Sequence, residues 1–130
     1  MTEASLELLA PRADVCGFLA EPFHLSDWWP GITGVDPDLR GFAPGARWKV
    51  HSTKRNIFTG SRVVETMVLI REIEPYERWT WHLLQPATDV DVHLRAVGDD
   101  RTIVTVGVSR GSPAVAVKRL YDLVQTAAEL

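Results

Sequence analysis

Strict alternation of apolar and polar residues dominates the middle of this chain and predicts a sheet of short strands. The clearest stretch is residues 89–97, which is followed by a hairpin turn at residues 98–100 and a returning strand over residues 102–108. Valine dominates one face of both strands. Further strands are predicted at residues 5–9, 32–35, 46–52, 62–74 and 78–84, and the turns between them contain Pro37, Pro44, Pro75 and Pro86.

Helical spacing replaces the alternation at three places. After Pro11, apolar residues recur at Val15, Phe18 and Leu19, which predicts a short helix ending near Ala20. A second short helix or turn is expected over residues 23–29. Ser112 and Pro113 begin a longer helix of about 18 residues. Its apolar stripe consists of Val117, Leu120, Tyr121, Val124 and Ala128.

The order of elements predicts an α+β fold in one domain, residues 1–130. Strands joined by short turns form an antiparallel sheet. The long helix has to bury its stripe, and the apolar face of the sheet is the only surface large enough. We therefore expect a curved antiparallel sheet of about six or seven strands wrapped around the C-terminal helix, with two short helices between the first and second strands. Such a sheet can leave a cavity beside the helix.

Charge and composition remove several classes of function. The net charge is −3, which argues against nucleic acid as the main partner. Cys16 is the single cysteine, so an internal disulfide and a multi-cysteine metal site are excluded. No apolar stretch is long enough to span a bilayer, and the acidic N-terminus does not resemble a signal peptide, so the expected compartment is the cytoplasm. Arg outnumbers Lys 11 to 3, a composition associated with high-GC bacteria.

Five tryptophans in 130 residues indicate a large apolar interior. Trp79 and Trp81 share one strand face, about 7 Å apart, where they would form an aromatic wall. Two interpretations stay open: the indoles stack on a ring-bearing ligand, or they fill the core. Trp48 is expected to point inward and Trp29 to lie at the mouth of the cavity.

Acid–base candidates depend on which face of the strand at residues 62–74 is turned inward. If Glu65, Met67 and Arg71 face the cavity, two charged groups lie inside it; with the other parity they face solvent, and a bulge could switch the parity midway. Tyr121 on the last helix could donate a proton to a ligand carbonyl. His51 is the fourth candidate.

Metal and cofactor sites are not predicted. Asp89, Asp91 and His93 share a strand face at a spacing that a metal could use, but that face is the solvated one. His24 and His82 have no partner at ligand spacing. The glycine-rich and catalytic motifs of common nucleotide-binding proteins, hydrolases and zinc proteases are absent.

Four segments resemble the START-like superfamily, also called SRPBCC or helix-grip. They are the strand–proline–helix segment 8–19, the Trp28-Trp29-Pro30 turn, the segment Glu72 to Trp79 around Pro75, and the Thr102 strand followed by the closing helix. The resemblance covers nearly the whole chain. It is greatest to polyketide cyclase/dehydrase-like and Hsp90-activator-like members.

This resemblance implies a cavity between sheet and C-terminal helix that binds an apolar or aromatic molecule such as a lipid, polyketide or quinone. A cyclase or dehydratase, and a protein-interaction module with a filled core, are the alternatives. No catalytic residue carries over, no cofactor is implied, and a homodimer stays open. The predicted ligand-binding residues are Trp29, Trp48, Met67, Trp79, Trp81, Val117, Leu120, Tyr121 and Val124.

Overall fold

A computed structural model describes residues 1–58 and 60–129, with side chains at all of these positions except 54–56 and 126–129. Seven strands and three α-helices follow one another along the chain. No helix in the described part is both long enough and apolar enough to cross a membrane. The elements are β1 (Thr2–Leu8), α1 (Arg12–Ala20), a 3₁₀ turn (Pro22–His24), α2 (Leu25–Trp28), β2 (Ile32–Pro37), β3 (Arg47–Asn56), β4 (Gly60–Glu74), β5 (Arg78–Leu83), β6 (Thr88–Val97), β7 (Arg101–Val108) and α3 (Ala114–Glu129).

The seven strands form one antiparallel sheet in the order β1-β7-β6-β5-β4-β3-β2. Strands β2 to β7 each pair with their neighbour in sequence. Strand β1 instead pairs with β7, so the first and last strands of the chain are neighbours in the sheet. The α+β class and the two short helices between the first and second strands are confirmed.

The concave face of the sheet is apolar because the side chains alternate. In β6, Val90, Val92 and Leu94 are buried, and the intervening residues are not. The same alternation buries Val104, Val106 and Val108 in β7. These two strands thus present mainly branched aliphatic residues to the helix side, and β6 presents charged and polar residues to the convex side.

A bulge in β4 decides which of its residues face inward. Ile70 is opposite Trp81 and Glu72 is opposite Thr80, so Arg71 is the extra residue on β4. Before the bulge Ile70 is buried, and after it Ile73 packs against the core. Arg71 therefore lies on the convex face with more than half of its side chain exposed, and so does Glu65.

Helix α3 covers the concave face with Ala116, Val117 and Leu120, each at most 1% exposed. The helix has 16 residues and begins at Ala114, whose backbone N–H donates to the hydroxyl of Ser112 at 3.3 Å. The predicted stripe is thus correct in its first turns. The side chain of Ala128 lies outside the described set.

The connection between β2 and β3 is held by the carboxylate of Asp38. It accepts backbone hydrogen bonds from Arg47 at 2.9 Å and from Arg40 at 3.0 Å. These bonds, the one from Arg47 first, hold the pKa of Asp38 below the ordinary aspartate value of 3.8. The charged form therefore stabilises this loop, which carries Phe42 over the end of the sheet.

Replacing Asp38 by Asn should lower the urea midpoint of unfolding at pH 7. Because the folded-state pKa is lowered, the charged group stabilises the fold above the unfolded-state value, and this contribution is lost as pH falls through the lowered pKa. The difference from the parent protein should therefore shrink when unfolding is measured again below pH 3.8. Asp99→Asn, in the exposed β6–β7 turn, is the control and should match the parent at both pH values. An equal deficit at both would contradict the charge-based explanation.

Candidate ligand-binding site

An apolar groove of about 340 Å³ opens between α1 and α3, next to the loop that follows β1. Its floor is formed by Val15 and Leu120, which are 2% and 0% exposed. The groove thus reaches from the surface down to the core. Its lining residues are Leu9, Ala10, Pro11, Asp14, Val15, Phe18, Leu120, Leu123 and Val124.

Local sequence explains how the α1 wall forms. The carbonyl of Pro11 accepts hydrogen bonds from the N–H groups of Asp14 and Val15, which starts the helix. Val15 and Phe18 are then one turn apart and face α3. Among the described residues of the lining, Asp14 is the one that carries a charge. The first turn of α1 therefore combines an apolar wall with a carboxylate at the rim.

A buried hydroxyl fixes the third side of the groove. Thr102 of β7 is fully buried, and its hydroxyl donates to the carbonyl oxygen of Ala10 at 2.8 Å. This bond ties the loop after β1 to the central part of the sheet. A buried carbonyl without a partner is costly, so the bond constrains where Ala10 and Pro11 can lie.

The indoles of Trp79 and Trp81 lie on the concave face of β5, as expected, and each is 3% exposed. Other aromatic rings cover both. The ring of Trp29 lies 4.8 Å from that of Trp81, and the ring of Phe42 lies 5.5 Å from that of Trp79, both edge-on. The space in front of these two indoles is therefore occupied by side chains of the protein itself.

The two covering segments are themselves anchored by tryptophan. The indole N–H of Trp48 donates to the carbonyl of Gly41 at 2.7 Å, which holds the β2–β3 loop against the sheet. Trp28 packs edge-on against Trp29 at 5.3 Å. The buried N–H of Trp28 contacts no hydrogen-bond acceptor among the described residues.

The predicted ligand-binding residues fall into three groups. Leu120 and Val124 line the groove. Trp29 is half-buried and, with the buried side chains of Trp48, Trp79, Trp81 and Val117, contributes to the aromatic and aliphatic core. Tyr121 is half-buried, with the ammonium of Lys118 5.7 Å from its ring centre.

Met67 lies where the site prediction did not place it. It is on the convex face of β4, beside Lys49 and Glu65, whereas its neighbour Val68 is buried in the core. An inward orientation for Met67 is therefore wrong. The parity that buries Val68 and Ile70 excludes it, because alternate residues of one strand face opposite sides.

Three of the four acid–base candidates also lie on the convex face. Glu65 lies 3.7 Å from the ammonium of Lys49, and His51 Nε2 lies 2.9 Å from a carboxylate oxygen of Asp36. Arg71 lies 3.8 Å from Asp89. Each of these three side chains thus contacts its own partner at the surface. Tyr121 is the candidate that remains near the core.

The polar face of β6 forms ion pairs with neighbouring strands. Asp91 accepts two hydrogen bonds from the guanidinium of Arg78, at 3.1 and 2.7 Å, and this contact raises the pKa of Arg78. Asp89 lies 2.7 Å from Nδ1 of His82. Within the described residues, no group of three or more histidine, cysteine, aspartate or glutamate side chains could hold a metal ion.

Sequence reasoning missed several lining residues of the groove. Leu9, Phe18 and Leu123 were not proposed as ligand contacts, although each is an apolar residue near an element that was identified. The sequence feature that could have predicted the groove is the pair of apolar residues Val15 and Phe18 on α1, which would have to pack against the C-terminal part of the α3 stripe. Only the packing of α1 beside α3 brings these residues together.

Several solved structures share this architecture at low sequence identity. A protein from Nitrosospira multiformis aligns with a TM-score of 0.72 and 14% identity over 99% of both chains. Norcoclaurine synthase of Thalictrum flavum, solved with a transition-state analogue, gives 0.68 and 14%, covering 97% of this chain and 94% of that one. The di-domain ARO/CYC protein StfQ of the steffimycin pathway gives 0.69 and 17%, covering 99% of this chain and 45% of that one.

These likenesses confirm the expected fold. The chain has the helix-grip fold, in which a curved antiparallel sheet wraps around a C-terminal helix. No protein-family model matches the sequence. No curated protein sequence matches it either.

Replacing Thr102 by Val should destabilise the protein by about 1–3 kcal/mol, because the part-buried carbonyl of Ala10 loses its hydrogen bond from the fully buried Thr102. Thr33→Val is the matched control, since the hydroxyl of Thr33 donates to His51 at 3.2 Å on an exposed site. It should cost less than about 0.5 kcal/mol. Urea unfolding of both variants measures the difference, and equal losses would show that burial at position 102 is unimportant.

Proposed function

We propose that this chain binds a small apolar ligand in the groove between α1 and α3. The observation that carries the proposal is an apolar groove that reaches fully buried Leu120. Its volume of about 340 Å³ lies at the lower end of the range for small-molecule sites. A ligand of one or two rings, or a short alkyl chain, fits that volume.

The composition of the walls supports an apolar guest. Aliphatic and aromatic side chains from α1, α3 and the loop after β1 surround the groove, and Asp14 is the single charged group among the lining residues that the structure describes. Burying such walls against an apolar molecule is favourable in proportion to the area removed from water. The carboxylate of Asp14 disfavours an anionic group at the same rim.

Two structural neighbours support ligand binding on this fold. The solved norcoclaurine synthase holds a transition-state analogue, and StfQ is described as an ARO/CYC protein of a biosynthetic pathway. Function on a shared fold depends on the residues of the site, so these neighbours support the kind of site more than any particular reaction. The ligand class of this chain rests on its own groove.

Binding is favoured over cyclase or dehydratase chemistry by the positions of the acid–base candidates. Glu65, Arg71 and His51 lie on the convex face and cannot reach a molecule between α1 and α3. The filled aromatic interior is also what the interaction-module hypothesis expects. The groove is the observation that separates ligand binding from that hypothesis.

The test uses two variants on the same helix. Leu123→Glu places a charge in the groove at a residue that is already 37% exposed, and Val115→Glu places one at a residue that is 54% exposed and outside the groove. The neutral two-ring fluorescent probe 6-propionyl-2-(dimethylamino)naphthalene is titrated into each protein. Leu123→Glu should weaken saturable binding by roughly tenfold or more, because the ligand would have to desolvate a carboxylate.

Val115→Glu should stay within about twofold of the parent protein. Trp81→Phe adds a second control, since Trp81 lies on β5 and does not line the groove. If Trp81→Phe weakens binding and Leu123→Glu does not, the ligand lies in the interior against the indoles. The absence of saturable binding in the parent protein would overturn the proposal.

A further inference from the structure

The modest net charge hides a strong asymmetry along the chain. Residues 39–64 contain no acidic residue and six basic ones, a formal charge of +6, while the rest of the chain carries −9. Half of these basic residues belong to the far end of the β3–β4 hairpin, where the excess of positive charge favours a partner of opposite charge. The six basic residues are Arg40, Arg47, Lys49, Lys54, Arg55 and Arg62.

The far end of this basic segment projects beyond the rest of the sheet. Strand β2 pairs with β3 only as far as Ser52, and β5 pairs with β4 only from Val68 onward. The last four pairs of the β3–β4 hairpin, from Thr53 opposite Val63 to Asn56 opposite Gly60, therefore have no strand on either side. We call these residues and the connecting turn the arm. Four residue pairs extend about 13 Å.

Apolar side chains are concentrated on the arm. Ile57 is 94% exposed and Phe58 89% exposed, next to the turn, and Val63 is 68% exposed on β4. A two-stranded hairpin without neighbouring strands gains little stability from its own contacts. These residues therefore contribute little burial to the fold. Exposed apolar residues rimmed by polar ones mark interaction sites.

We propose that the arm docks this protein on anionic lipid membranes. Ile57 and Phe58 enter the apolar boundary of the bilayer, while the exposed Arg62 meets the lipid phosphates. Basic segments are attracted to anionic leaflets, and apolar side chains then hold a protein at the interface. The register places Lys54 opposite Arg62, so the basic positions flank the apolar ones.

A membrane fits this combination better than the other partners of opposite charge. Nucleic acid would satisfy the basic residues, and a base could stack on Phe58, but an exposed isoleucine gains nothing from phosphates. Two arms from two copies of this chain would repel each other, and contact of an arm with the acidic remainder of a second copy would leave Ile57 without an apolar layer to enter. A bilayer with anionic headgroups supplies a negative layer and an apolar layer next to each other.

The arm and the groove lie at opposite ends of the sheet. Strand directions alternate, so β1 ends at the same end as the β4–β5 turn, whereas the arm is at the other end. Docking through the arm therefore leaves the groove uncovered. The two proposals concern different residues and fail independently.

Flotation of the full chain with vesicles tests the docking proposal. Vesicles of phosphatidylcholine alone are compared with vesicles that also contain phosphatidylglycerol, at low and at high salt. We expect binding only with phosphatidylglycerol and weakening by salt. The double variant Ile57→Ser/Phe58→Ser should reduce partitioning by roughly tenfold or more. Arg62→Glu should reduce it by roughly fivefold or more.

Matched controls lie at the other end of the sheet. Leu39→Ser removes an apolar side chain that is fully exposed and precedes β3, roughly 30 Å from the arm. Arg95→Glu reverses an exposed charge near the end of β6. Both should partition within about twofold of the parent protein. All the variants change exposed residues, so their urea midpoints should match that of the parent.

A second readout places the arm at the interface. Ile57→Cys is labelled with a polarity-sensitive fluorophore, which is selective because Cys16, the other cysteine, is buried. A blue shift on anionic vesicles is expected, and the same label on Leu39→Cys should not shift. No flotation of the parent, or unchanged flotation of the double variant, would overturn the proposal. The proposal would also be overturned if the arm bound RNA, or joined two copies of the chain, and the protein did not bind vesicles.

Discussion

Burial of the apolar stripe of α3 on the concave side of the sheet is the interaction on which the rest of this structure depends. Leu120 and Val117 are almost completely removed from water, and they face strands whose inward residues are largely valine. Each such side chain contributes about 1.5–3 kcal/mol when it is fully buried. Helix α3 covers much of the apolar face of these valine-rich strands. The pairing of β1 with β7 and the position of α3 both serve the burial of that face.

Aromatic side chains determine which part of the interior is filled and where a groove can form. Trp29 covers Trp81, and Phe42 covers Trp79, so two connecting segments are packed onto the sheet by their rings. Edge-on contacts between rings at these distances are favourable beyond the area they bury. The interior beside β5 is consequently filled, and the groove lies instead where α1 meets the second half of α3. Aromatic packing thereby moves the candidate site from the middle of the sheet to its end.

Much of this arrangement could be predicted from local patterns. The alternation in β6 and β7 predicts both the strands and their buried faces, and Ser112 with Pro113 predicts the start of α3 to within one residue. Fewer residues of the candidate site could be predicted. Leu120 and Val124 were identified because they belong to the helix stripe, whereas Leu9 and Phe18 were not, since their contact with α3 spans more than one hundred residues of sequence.

The sequence by itself determined the elements, their order and the apolar face of most strands, because these follow from the two- and 3.6-residue periods of the backbone. Tertiary structure alone decided the orientation of β4. One bulge at Arg71 keeps both Ile70 and Ile73 on the core side and leaves Met67 on the convex face. It also decided that the end of the β3–β4 hairpin stands clear of neighbouring strands. Both outcomes depend on how far adjacent strands extend and where their hydrogen bonds shift, and no period within a single strand encodes that.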